Sequence, residues 1–219
     1  MNIQEPTNKQ DYYYIPNVGW LPRVTNILKI IAKGEKYDEW LRNQGQNSKA
    51  IMSEAGDIGT SIHNRLEEIG KGIPMHIEAL KPLERKWVGY FNEWRNEHIS
   101  SFITTERPIH SVKERYAGTL DSIVTLKDKR IALLDYKTSK YIYDTHELQC
   151  CAYIKAYEEM VGTHIDTSFI LRFDKNSGLL QVKEIVNIDA QYEVFLHALK
   201  LWYWKYGKYQ EFLNEKEKK

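Results

Sequence analysis

The chain has 219 residues, 42% hydrophobic and 28% charged, the make-up of a globular protein able to bury a sizeable core within one elaborated domain. A formal net charge of +1 excludes a uniformly basic surface, so any phosphate-binding face has to be a local patch balanced by acid elsewhere. No apolar run approaches a membrane span, the polar start MNIQEPTNKQ does not read as a signal peptide, and the adjacent Cys150 and Cys151 offer no disulfide framework. The expected compartment is therefore a reducing cytoplasm.

Residues 1–22 hold Pro6, Pro16, Gly19 and Pro22 and read as an irregular or hairpin-like lead-in. Val24, Ile27, Leu28 and Ile31 recur at helical spacing, predicting a short helix from about Thr25 that Gly34 ends, and Trp40 and Leu41 fall in a further helix. A longer helix is expected over 48–69, with Ile58, Ile62, Leu66 and Ile69 on one stripe and Gly70 beyond its end. Another is expected over 77–96, burying Leu80, Leu83, Trp87, Tyr90, Phe91 and Trp94. The pattern then turns to short β-branched and aliphatic runs at 101–107, 117–126 and 131–137. A helix over 147–161 follows, then a hairpin of 166–174 and 179–188 across residues 175–178. Asp189 is placed to cap a last helix through Tyr209, with Phe195, Leu199, Trp202, Tyr203 and Tyr206 inward, and the tail NEKEKK reads as a solvated end. The chain thus divides into a mainly helical part over 1–98, a sheet core over 99–188 and a terminal helix and tail over 189–219. The fold class is α/β in the α+β sense, a central mixed sheet flanked by helices.

Chemistry concentrates between residues 118 and 137. Along 131–137 side chains alternate, so Asp135 and Lys137 share one face while Leu134 and Tyr136 take the other. Charge at the end of so apolar a strand is costly unless paired or bound to a metal. If Asp121 of Gly118-x-x-Asp121 opposes Asp135 across an antiparallel pair, Leu126 opposes Arg130 and Lys127, Asp128 and Lys129 form a three-residue loop, although no glycine or asparagine is present for its left-handed position; the alternative is an even-length loop corrected by a bulge. Two carboxylates converging there suit Mg²⁺ or Mn²⁺, and Lys137 is placed to orient or help deprotonate a water and to neutralise phosphate charge.

Gln149 and Tyr153 lie four apart on the following helix and share a face. Thr138, Ser139 and Lys140 are small donors and a cation suited to phosphate contacts, and Tyr141 and Tyr143 offer rings for unpaired bases. His63 stands in a helix with Glu67 one turn on, where an imidazole can complete a metal shell. His76, His98, His110, His146, His164 and His197 fall in no metal-ligand spacing. No Walker-type phosphate loop is present, so no ATP-driven motor is expected.

His63, Gly118-x-x-Asp121, Asp135-x-Lys137 and Gln149-x-x-x-Tyr153, in that order over residues 59–153, resemble the PD-(D/E)XK nuclease superfamily. The branch resembled holds the RecB nuclease domain, the mitochondrial genome maintenance exonuclease and related phage and CRISPR-associated exonucleases. Leu21 to Leu28 is similar to a Pro-Ser-Val-Thr-x-Ile-Leu segment of its single-domain members, with Arg23 where serine is usual. The resemblance implies a restriction-endonuclease-like core and Mg²⁺- or Mn²⁺-dependent DNA cleavage, in the service of repair, recombination or replication. It makes His63, Asp121, Asp135 and the main-chain carbonyl of Tyr136 metal ligands. Lys137 would act on the water, Gln149 and Tyr153 would support the site, and Glu106 would be a further acidic neighbour. Two cysteines exclude the four-cysteine iron–sulfur cluster of some relatives. The activity implied is an exonuclease working from single-stranded DNA ends; a flap or junction endonuclease and a non-catalytic nucleic-acid-binding protein are the alternatives.

Overall fold

A computed structural model describes residues 6, 8–31, 39, 42–45, 47–206 and 208–217, with backbone only at 47–55, 209, 210 and 217. The expected stop at Gly34 and the helix of Trp40 and Leu41 lie outside the described residues. The chain opens with a hairpin of β1 (Tyr12–Ile15) and β2 (Gly19–Pro22), turned by Asn17 at φ 63°. Asparagine is among the residues that tolerate this conformation best. A single helical turn, α1 (Val24–Ile27), follows and continues as a 3₁₀ turn through Ile30. Next come α2 (Asn47–Gly70) and α3 (Pro82–His98).

The expected start of α3 at Ile77 is corrected. Ile77–Ala79 forms a separate 3₁₀ turn, and Pro82 opens the helix proper, where its missing N–H costs nothing. The Glu84 carboxylate accepts the Lys81 N–H at 3.1 Å, closing the first turn. Trp87 and Phe91 are buried as expected, whereas Tyr90 points to solvent.

The sheet follows: β3 (Ile99–Ser111), β4 (Tyr116–Leu126), β5 (Ile131–Lys137), β6 (Thr167–Phe173) and β7 (Leu180–Ile185), in that spatial order. All neighbours are antiparallel except β5 and β6, whose parallel pairing requires a crossover, supplied by α4 (Asp144–Val161). The β4–β5 register pairs Ser122 with Leu134 and Thr125 with Ile131, as the three-residue loop demands. Lys129 takes the left-handed position at φ 75°, and the Leu126 N–H reaches the Arg130 carbonyl at 2.8 Å.

Helices cover both faces. On one, Ile62 and Leu66 of α2 and Trp87 and Phe91 of α3 pack on Val124, Leu134, Tyr136 and Phe173. On the other, α1, α4 and α5 (Ile188–Lys205) bury Val24, Tyr153, Phe195 and Trp202 against Tyr116, Leu120 and Leu133. The molecule is therefore α+β, a five-stranded mixed sheet flanked by helices. No helix among the described residues is long and apolar enough to cross a membrane.

Three expectations at the C-terminal end are corrected. Asn187, not Asp189, sits at the start of α5; Asp189 lies within its first turn, 2.7 Å from the Lys155 ammonium. Tyr206 is exposed, and beyond it α6 (Tyr209–Glu217) folds back instead of trailing into solvent. Phe212 stacks on Tyr203 with ring centroids 4.4 Å apart, and Glu215 lies 3.6 Å from the buried Arg115. A buried aromatic and an acid answering a buried guanidinium outweigh the polarity of the tail.

Candidate active site

The site lies where β5 ends. The β4–β5 ladder stops at Ser122 and Leu134, and the next donor on β5, the Tyr136 N–H, is taken by Asp121 Oδ2 at 2.6 Å. A side-chain carboxylate thus replaces a backbone acceptor as the strands part. Asp121 Oδ1 turns toward α2, 3.3 Å from His63 Nδ1. The Tyr136 ring enters the core on the α2–α3 side, where it meets His63 edge-on at 5.8 Å and its hydroxyl donates to Ser122 Oγ at 3.0 Å.

Asp135 is 1% exposed, with Oδ2 2.5 Å from Lys137 Nζ. On its other side Gln149 Nε2 approaches Oδ1 at 3.4 Å and the Tyr153 hydroxyl at 3.1 Å. The Gly118 motif and the Tyr153 motif prove to be one contact. A Cβ on Gly118 would stand 2.5 Å from Tyr153 Cε1, so only glycine lets that ring lie on β4. Gly59 admits α2 to the turn after β5 in a similar way, since a Cβ there would meet Thr138 Oγ1 at 3.1 Å.

Glu106 joins the group from β3. Thr105 pairs with Ser122 and Arg107 with Leu120, leaving Glu106 across from Asp121 with φ at 44°, a strained value for a non-glycine residue inside a strand. Ligand atoms of His63, Glu106 and Asp121 all lie within 4.8 Å of one another. Asp135 stands outside this trio, paired with Lys137. Two carboxylates and an imidazole are a donor set that suits Mg²⁺ or Mn²⁺.

The electrostatics follow from crowding. Burial, then the charge of Asp121, pushes Glu106 up to about 7. Burial pushes Asp135 up to about 6, with Asp121 adding to it against the pull of Lys137. Burial opposes the Asp121 charge too, but His63, Lys137 and the Tyr136 N–H hold its carboxyl below the usual range. Burial disfavours the cations His63 and Lys137, yet the neighbouring aspartates raise both. His146, near the start of α4, is driven by burial and the Lys137 charge down to about 3 and stays neutral. Three acids facing two cations leave a negative surplus in a partly dry pocket, which a divalent cation would neutralise.

The turn after β5 is firmly braced. Ser139 Oγ donates to the Tyr141 carbonyl at 2.6 Å, and the Ser139 carbonyl accepts from Arg172 Nη1 at 3.1 Å. Lys140 Nζ lies 5.4 Å from the Tyr141 ring, and both Tyr141 and Tyr143 are exposed with centroids 6.3 Å apart. Sequence reasoning gave Glu106 only a minor place, because its approach depends on the irregular backbone of β3. It assigned nothing to Tyr13, whose hydroxyl lies 2.7 Å from Thr119 Oγ1, two residues before Asp121 on β4. No spacing along the chain signals that contact.

No family model matches the chain, and no curated protein matches it. Among solved structures, one similar chain is a protein of Eubacterium rectale provisionally described as an exonuclease. It is 11% identical, with a TM-score of 0.47, covering 73% of this chain and 67% of that one. Another, described as SSO0001, is 14% identical, with a TM-score of 0.39 and 82% of each chain covered. Likeness of this degree carries no conclusion about activity.

Proposed function

We propose that this chain is a Mg²⁺- or Mn²⁺-dependent deoxyribonuclease, an exonuclease that hydrolyses phosphodiester bonds from single-stranded DNA ends. The observation that carries the reading is the His63, Glu106 and Asp121 trio standing beside a buried Asp135–Lys137 pair. His63, Asp121 and Glu106 would hold the ion, with Asp135 and the Tyr136 carbonyl at its border. When bound, the ion supplies Lewis-acid stabilisation of the charge that builds on the phosphate.

The protein's own groups account for the rest. Lys137, kept charged by its two aspartates, can orient the attacking water and bond a phosphate oxygen. Gln149 and the Tyr153 hydroxyl hold Asp135 and one another in place, so the acid and the amine meet the substrate in a fixed arrangement. Thr138 and Lys140 flank the strand end as phosphate contacts, and the exposed rings of Tyr141 and Tyr143 favour a strand with unpaired bases to stack on them.

The test is Mg²⁺-dependent degradation of end-labelled single-stranded DNA beside a covalently closed circle. Loss of the linear strand with the circle intact is expected. Cutting of the circle would move the reading to an endonuclease, and inertness toward both would leave a binding protein.

A further inference from the structure

Beyond Ser122, β4 is no longer paired to β5, and the N-terminal hairpin comes to that open edge. His110 occupies one side of Ala117, and Arg23 bridges its other side through the backbone. The Arg23 N–H donates to the Asp11 carbonyl at 3.0 Å, which ties the residue to the base of the hairpin. Its guanidinium lies over the Tyr13 ring, 4.3 Å from the centroid, and Tyr13 is anchored in turn to Thr119. By strand rise, Ala117 is about 13 Å along β4 from Asp121.

Arg23 is half-buried, its Nε is buried without a hydrogen-bond partner, and no carboxylate among the described residues lies within ion-pair distance of it. Asp11, the acid at the hairpin's base, is already engaged by Asn8 and Lys29. The half-buried Arg65 and Arg172 each have a carboxylate at 3.0 Å or less. A partly desolvated guanidinium held over a ring and left without an anion is costly by itself. The same arrangement is pre-organised for a tetrahedral oxyanion, because the planar fork can donate two parallel hydrogen bonds and the ring has already restricted its rotamers.

We propose that Arg23, stacked on Tyr13, holds a backbone phosphate of the bound DNA strand at the open edge of β4, away from the bond that is cut. The inference rests on the nuclease reading above and assigns the N-terminal hairpin to substrate binding.

The experiment measures fluorescence anisotropy of an end-labelled oligo-dT with the full chain and with Arg23→Gln. Ca²⁺ replaces Mg²⁺, and salt is varied between about 50 and 200 mM. Arg23→Gln is expected to weaken binding about tenfold at low salt. It is also expected to flatten the slope of log affinity against log salt by about 0.7, the signature of one lost single-strand phosphate contact. Arg23→Lys should restore the slope but only part of the affinity. Equal affinity and slope in the wild type and Arg23→Gln would overturn the assignment while leaving the nuclease reading intact. Weaker binding with an unchanged slope would also overturn it, since that marks a structural role. Failure of the wild type to bind the strand at all would remove both.

Discussion

Two regions of this molecule bury charge, and they handle it in opposite ways. At the far turn between β3 and β4, the buried Glu114 and the exposed Glu159 are both answered. Glu159 accepts from Ser111 Oγ at 2.6 Å and from the N–H groups of Val112 and Lys113 at 2.8 and 3.0 Å, while Glu114 pairs with Lys216. At the end of β5, Glu106 has no hydrogen-bond or ion-pair partner among the described residues, and two of three acids are pushed toward neutrality. Each region also holds a non-glycine residue at positive φ, Arg115 at 62° and Glu106 at 44°. Arg115 lies in a tight turn, where its N–H returns to the Ser111 carbonyl at 2.9 Å, and its strain serves the chain reversal. Glu106 lies within a strand where no reversal is needed. On the proposed reading, strain beside acids left without partners serves a ligand, whereas strain beside answered acids serves as a fastening.

Substitutions can break that contrast, beginning with the largest expected effect. Lys137→Ala or Asp135→Ala should cut DNA turnover per folded molecule by on the order of 10²–10³-fold, with some loss of thermal midpoint because each leaves its buried partner unpaired. Single-turnover rates beside a melting curve would check this, and full activity in either variant would sink the site. Phe212→Ala in α6 should do the reverse. It is expected to cost about 3–5 kcal/mol of stability by denaturant titration, with the rate per folded molecule unchanged.

Glu106→Gln and His63→Ala sharpen the comparison by metal affinity. Each should weaken Mn²⁺ binding by roughly 10–100-fold in a calorimetric titration of the DNA-free protein, whereas Glu114→Gln at the far turn should leave it alone. An unchanged titration for Glu106→Gln would place that residue outside the cation's shell.

The smallest effect is a pH dependence with a definite sign. Glu106 rises from 4.5 to about 7 on folding, and Asp135 from 3.8 to about 6. The folded, metal-free chain therefore keeps protons that the unfolded chain has released, so these groups favour folding at low pH. Their contribution declines as pH rises from about 4 through about 7 and is flat above that. A cation binds the deprotonated acids, so the stabilisation it adds should grow across the same window. Melting curves at pH 5.5 and 8, with and without Mn²⁺, would measure both trends. Glu106→Gln should remove the upper part of the metal-free decline.

Much of the β4–β5 strand pair is legible in the amino-acid order, for a local reason. Alternation along residues 131–137 sets which face Asp135 and Lys137 occupy, and the odd-length loop at 127–129 fixes the register that carries Asp121 toward them. The helical stripe of Ile62, Leu66 and Ile69 placed His63 on a helix by the same kind of short-range periodicity. The start of α3 is not legible from periodicity, because apolar spacing begins at Ile77 while Pro82 and Glu84 decide where backbone hydrogen bonding begins.

Periodicity, loop length and turn chemistry act between neighbours, so the amino-acid order alone specified the hairpin of acids, its amine and the crossover helix after it. Contacts between residues tens of positions apart belonged to the folded molecule. Glu106 meets Asp121 through an irregular β3, Tyr153 needs Gly118 bare, Arg23 reaches the open edge of β4, and α6 returns to cover Arg115. Each depends on where strands part and helices land, which is settled only when the whole core closes around them.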